Sequence, residues 1–156
     1  MKYLYLIFFL LFSGCSVKNF SSKESKIVVI KSPKLKFNDI GYIKDDGSYV
    51  RLELYSAGVA IESIDIKHLV CTKQGCITKS KFNKEYLHPS YPNDILRNIL
   101  LKKPIFGGEN LKKLSSGFIQ NIKSKDYNIK YKVTPKEVFF KDRKNKIILK
   151  IKDIDG

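Results

Sequence analysis

Tryptophan is absent from the 156 residues, methionine occurs once, histidine twice and cysteine three times. Metal centres and redox sites draw many of their ligands from the last two types, so neither a metal nor another cofactor is expected. His68 and His88 lack the neighbours that a Ser-His-Asp arrangement would need. There is no phosphate-binding loop and no dinucleotide-binding glycine fingerprint. Gly107-Gly108 reads as a flexible loop, and Asp45-Asp46 before Gly47 reads as turn chemistry. Nothing here supports an enzyme. Long hydrophobic runs are also missing: Tyr3–Phe12 falls well short of the ~20 residues that cross a bilayer as a helix. Acidic residues are scarce, with Asp+Glu 15 against Lys+Arg 30 and a formal charge of +15 at pH 7. Such a balance fits an anionic partner, either nucleic acid or a phosphate-bearing membrane surface, or a lysine-rich composition that coats the surface with solvated charge. With 43% hydrophobic residues, the length suits one domain with a modest core.

What is present begins with the compartment. Lys2, the apolar run Tyr3–Phe12 and the small pair Ser13-Gly14 follow the charge–apolar–small order of a secretory signal. Leu11-Phe12-Ser13-Gly14-Cys15 resembles a bacterial lipobox, which implies lipidation of Cys15. Ser16 after it resembles an outer-membrane address. Residues 1–14 are therefore expected to be a lipoprotein signal peptide, 15–35 a lipidated N-terminus and tether, and 36–156 the folded domain. Loss of residues 1–14 removes only Lys2 from the charges and leaves 142 residues at +14. A secreted lipoprotein does not meet chromosomal DNA, so the membrane surface replaces nucleic acid as the expected anionic partner. Cys71 and Cys76 remain, five positions apart with Gly75 between them. An oxidising compartment and an even count favour a disulfide over a free dithiol or half of a metal site.

The folded part reads as strands around a helical insertion. Ile27–Ile30 is a β-branched run, either an edge strand or a segment that docks on the domain. Asp45-Asp46-Gly47-Ser48 is a hairpin signal, after which Val50, Leu52 and Leu54 alternate with Arg51, Glu53 and Tyr55. The phase of Val59 and Ile61 is opposite to that of Ile64 and Ile66, predicting a bulge near Glu62-Ser63. One or two helical turns are expected over Phe82–Leu87. A clearer helix follows Tyr91-Pro92-Asn93-Asp94, with Ile95, Leu96, Ile99 and Leu100 on one stripe and Pro104 as its stop. A polar stretch runs to Ser116, and strand patterns then return through Ile151. The fold class is α+β, mainly β: a curved antiparallel half-barrel or unclosed barrel with a small helical insertion across its open face.

The order of these segments resembles the LolB-type receptors, outer-membrane lipoproteins that accept other lipoproteins from a periplasmic carrier. The resembling parts are Tyr49–Leu54 with the Gly58 turn, Asp94–Leu100 followed by Pro104, Phe118-Ile119-Gln120 with Tyr127–Tyr131, Pro135, and Ile147–Ile151. The resemblance implies non-enzymatic lipoprotein delivery through an apolar cavity that takes acyl chains of lipoproteins or phospholipid. Val50, Leu52, Leu54, Ile64, Ile66, Leu96, Ile129, Tyr131, Phe140 and Leu149 are the expected cavity lining. Those receptors carry an exposed leucine on an early turn; Val59 stands there in this chain. Ile105 and Phe106, with Lys102 and Lys103 beside them, are the more apolar candidates for contact with outer-membrane lipid. Folding of Phe106 back over the barrel mouth is the alternative for that loop. Two other functions stay open: a structural or assembly lipoprotein without a lipid cavity, and a basic surface-adhesion module.

Overall fold

The computed structural model describes residues 23–154. Cys15 and the expected signal peptide lie outside the described residues. Among the described residues eleven strands, β1 (Lys23–Lys31), β2 (Lys36–Asp45), β3 (Val50–Ser56), β4 (Val59–Ile66), β5 (Leu69–Thr72), β6 (Gly75–Thr78), β7 (Leu111–Leu114), β8 (Gly117–Lys123), β9 (Asn128–Val133), β10 (Glu137–Asp142) and β11 (Ile147–Asp153), form one antiparallel sheet. Their spatial order is β6-β5-β4-β3-β2-β1-β11-β10-β9-β8-β7, so strands that neighbour in space are neighbours in sequence except at one seam, where β1 pairs with β11. The sheet does not close; β6 and β7 are its edges. This is the expected unclosed half-barrel.

The period-two pattern survives intact. Buried positions alternate along β3 at Val50, Leu52 and Leu54, along β9 at Ile129, Tyr131 and Val133, and along β11 at Ile147, Leu149 and Ile151. All face one concave side, because successive side chains on a pleated strand point to opposite faces. Gly41 on β2 permits the curl there. A Cβ at this position would lie 2.7 Å from Val28 Cγ2 and 3.1 Å from the Glu53 carbonyl oxygen. The expected bulge is present: Leu54 pairs with Glu62 and Tyr55 with Ala60, leaving Ile61 as the extra residue. It turns Val59 and Ile61 away from the core.

Two sequence expectations change. The stretch 15–35, read as tether, contains the nine-residue β1, and that strand is no edge. It is paired along both sides, to β2 and to β11, and joins the two halves of the sheet. Val28 and Ile30 face the core, which explains the β-branched run. Similarly, the polar stretch before Ser116 holds β7, whose LKKL sequence leaves Lys112 and Lys113 on an edge where charge discourages further pairing.

Helices α1 (Lys79–Tyr86) and α2 (Ile95–Leu100) bury their apolar residues in the same core as the concave face. Thr78 caps α1, its Oγ1 accepting from Lys81 N at 3.2 Å. Phe82 and Tyr86, four residues apart, stack with centroids 4.6 Å apart. Six residues are too few to hold a helix alone. α2 persists because Ile95, Leu96, Ile99 and Leu100 are all buried, each contributing about 1.5–3 kcal/mol.

Candidate functional site

The concave face and its helical cover form the candidate site. All ten residues expected to line a cavity are buried there, none more than 6% exposed, within one hydrophobic cluster. Among the described residues they pack against the helices. The space bordered by Leu52, Ile64, Phe82, Leu87, Leu96 and Leu149 is a cavity of about 20 Å³, enough for one water and not for an acyl chain. Larger clefts flank the cover at its two ends. One, about 260 Å³, lies between Leu100, Leu101 and Lys102 and the residues Lys26, Ile43 and Ile151. The other, about 280 Å³, lies beside Tyr86 and is walled by Lys34, Leu35, Glu62 and Gln74.

The cover is held by polar contacts at its connecting loops. Between the helices, Tyr91 donates its hydroxyl to Asp142 Oδ2 at 2.5 Å. Asp142 is fully buried and also accepts from Asn128 N at 3.0 Å, Lys144 N at 2.9 Å and Asn145 Nδ2 at 2.6 Å. Burial by itself would raise the Asp142 pKa, but the donors from Tyr91, Asn128 and Asn145 hold it below its ordinary value. Burial, then the Asp142 hydrogen bond, push the Tyr91 phenol far upward. Asn83 on α1 donates to the Tyr91 and Pro92 carbonyl oxygens, both at 3.1 Å. After α2, Gln120 on β8 accepts from Ile105 N at 2.9 Å and donates to the carbonyl oxygens of Ile105 at 2.9 Å and Glu109 at 2.7 Å. Tyr131 donates to the Lys103 carbonyl oxygen at 3.0 Å, and burial raises its pKa well above the usual phenol range.

These contacts correct the expected membrane loop. Ile105 is fully buried, and Phe106 is half-buried against Tyr127 and Tyr91, with centroids at 4.8 and 6.2 Å. The loop turns inward because Gln120 satisfies both backbone groups of Ile105, and the positive φ of Phe106, Gly107 and Gly108 folds it against the sheet. Phe106 thus packs on Tyr127 and Tyr91 rather than projecting from the loop. Lys102 is half-buried and donates its Nζ to the Pro135 carbonyl oxygen at 2.5 Å, while Lys103 is exposed. Val59, the weaker candidate, is the most exposed large hydrophobic among the described residues at 65%, with Ile61 beside it at 43%. Ala57 and Gly58, both with positive φ, make the tight turn that presents them.

Cys71 and Cys76 are directly opposed on β5 and β6 and form a disulfide. The bridge closes the hairpin that leads straight into α1. Replacing both cysteines by serine is expected to cost about 2 kcal/mol for so short a loop. A chemical denaturation curve would check this, and an unchanged midpoint would remove the bridge from the stability account.

Sequence reasoning missed Tyr91, Asp142, Gln120 and Phe82 as the residues that hold the cover. Asp142 opens the Asp-Arg-Lys-Asn turn, a visible acceptor position, but its hydroxyl donor stands 51 positions away. No protein-family model, curated protein or solved structure matches the chain.

Proposed function

We propose that the protein is a non-enzymatic outer-membrane lipoprotein of the LolB type, anchored through Cys15, that receives acyl chains from a periplasmic carrier and passes them to the bilayer. The observation that carries this reading is the cover itself. The apolar concave face of an open sheet is closed by two short helices, with no strand ladder, and clefts of about 260 and 280 Å³ lie at the ends of that cover. Side-chain packing can be exchanged for an acyl chain at little net cost, since apolar surface stays buried at ~25 cal/mol per Å² in both states. A backbone ladder cannot be exchanged in this way. The hairpin tip with Val59 and Ile61 supplies an apolar contact for the bilayer.

A second reading, a structural or assembly lipoprotein with a filled interior, is favoured by the 20 Å³ cavity. One experiment separates them. A phospholipid bearing a photoreactive acyl chain, incubated with the full chain in vesicles, is expected to label peptides containing Leu52, Ile64, Phe82 or Leu96. Label restricted to the Val59–Ile61 tip and the outer face would sink the receptor reading and leave the assembly reading standing.

A further inference from the structure

The positive charge is unevenly partnered across the outer, convex face of the sheet. On β2 and β3 two outward cations, Lys44 and Arg51, have carboxylate partners. Lys44 pairs with Glu53 at 2.7 Å, and Arg51 bridges Asp65 through both Nε and Nη2. Beyond the β1–β11 seam the pattern reverses. Phe139 on β10 stands directly between Lys150 on β11 and Lys132 on β9, and in the next outward row Lys141 is directly opposite Lys130. Of these four lysines only Lys150 has an ion pair among the described residues, with Glu137 at 3.5 Å. Lys112 on β7 extends the array past Ile119, which also faces Lys132.

Like charges directly opposite on neighbouring strands destabilise a sheet. Carboxylates stand at outward positions on both β3 and β4, whereas among the described residues Glu137 is the one outward carboxylate on β9–β11. A shallow cleft of about 120 Å³, walled by Lys130, Lys132, Thr134, Glu137 and Phe139, sits within the array. The residues are lysines, point charges that suit a diffuse layer of phosphates better than bidentate capture of a single anion. They spread in two directions over several strands, which matches a surface rather than a linear polyanion. A half-buried aromatic ring between two of them adds the mixed character that favours a headgroup layer.

We infer that the outer face of β9–β11 docks on the anionic phospholipid headgroups of a bilayer, laying the sheet against the membrane in which the chain is anchored. This rests on the membrane-anchored part of the reading above and not on the acyl-transfer step. Each lysine brought to such a surface is worth about a fivefold gain in affinity.

The test measures lysine acetylation in the full chain by mass spectrometry, in vesicles of phosphatidylcholine alone and in vesicles containing phosphatidylglycerol as well. Lys81, exposed on α1, is the internal reference. Lys130, Lys132, Lys141 and Lys150 are expected to react about fivefold or more slowly than the reference when phosphatidylglycerol is present, and the protection should vanish as salt rises. Tethering alone would protect them equally in both vesicle types. Equal rates in the two, or protection that appears only when an acidic protein or a nucleic acid is added, would overturn the inference. Neither result bears on acyl-chain photolabelling, so the two readings fail separately.

Discussion

Asp142→Ala is expected to lower the thermal midpoint by about 10 °C. The substitution removes a buried carboxylate that accepts from the Tyr91 hydroxyl, two backbone amides at 2.9–3.0 Å and the Asn145 amide. Stranding such donors costs about 1–3 kcal/mol for each one that water cannot reach, and a total near 4 kcal/mol corresponds to that shift for a chain of this size. Tyr91→Phe removes a single donor and should cost about 1–2 kcal/mol. The carboxylate also predicts a pH signature. Its folded pKa lies below the ordinary 3.8, so its contribution is fully present above that value and is lost as pH falls through the lower, folded one. Wild-type stability should therefore drop more steeply below about pH 4 than that of Asp142→Ala. A circular dichroism melt, repeated across pH, checks both statements. A shift of under about 2 °C at neutral pH would mean that the loop between the helices is held by packing alone.

Phe106→Glu is expected to destabilise the fold by about 3 kcal/mol without altering vesicle association of the molecules that remain folded. The ring contacts Tyr91 and Tyr127, and each aromatic pair contributes about 0.5–1.5 kcal/mol beyond the area it buries. A carboxylate in this half-buried position would also stand next to the fully buried Ile105. Val59→Glu is the contrasting case. At 65% exposure on a tight turn, its change in stability should stay within about 0.5 kcal/mol, and the effect should fall on vesicle association instead. If Phe106→Glu melted like the wild type, the inward loop would be wrong, and the sequence expectation of an exposed Ile105-Phe106 would return.

That reversal shows why some features were legible in the sequence and others were not. The alternation of Val50, Leu52 and Leu54, or of Ile147, Leu149 and Ile151, is a local consequence of the pleat, so the strands and their buried faces can be read residue by residue. The bulge at Ile61 is legible for the same reason, as a break in phase four residues long. Cys71 and Cys76 are five apart with a glycine turn between them, close enough for local geometry to suggest their pairing. The single apolar stripe of Ile95, Leu96, Ile99 and Leu100 predicts a helix with one buried side.

Tertiary structure decided what depends on distant partners. Ile27–Ile30 reads as an edge or docking segment because nothing nearby reveals β11, whose Lys150 and Lys152 face Val29 and Ile27 from more than a hundred residues on. Ile105-Phe106 looks exposed until Gln120 and Tyr127 are brought beneath it. The ten apolar residues expected to line a cavity are all interior, but whether an interior is open or filled depends on how α1 and α2 seat against it, and among the described residues the space beside Leu52, Ile64 and Leu96 is about 20 Å³. Net charge was countable from the start; which lysines share the outer face of β9–β11 required the strand register. The periodic pattern of side chains is a property of a few consecutive residues, and so the chain alone determined the half-barrel and its apolar face. The seam at β1–β11, the cover's polar ties and the lysine-rich outer face of β9–β11 belong to residues that meet only after the chain has folded.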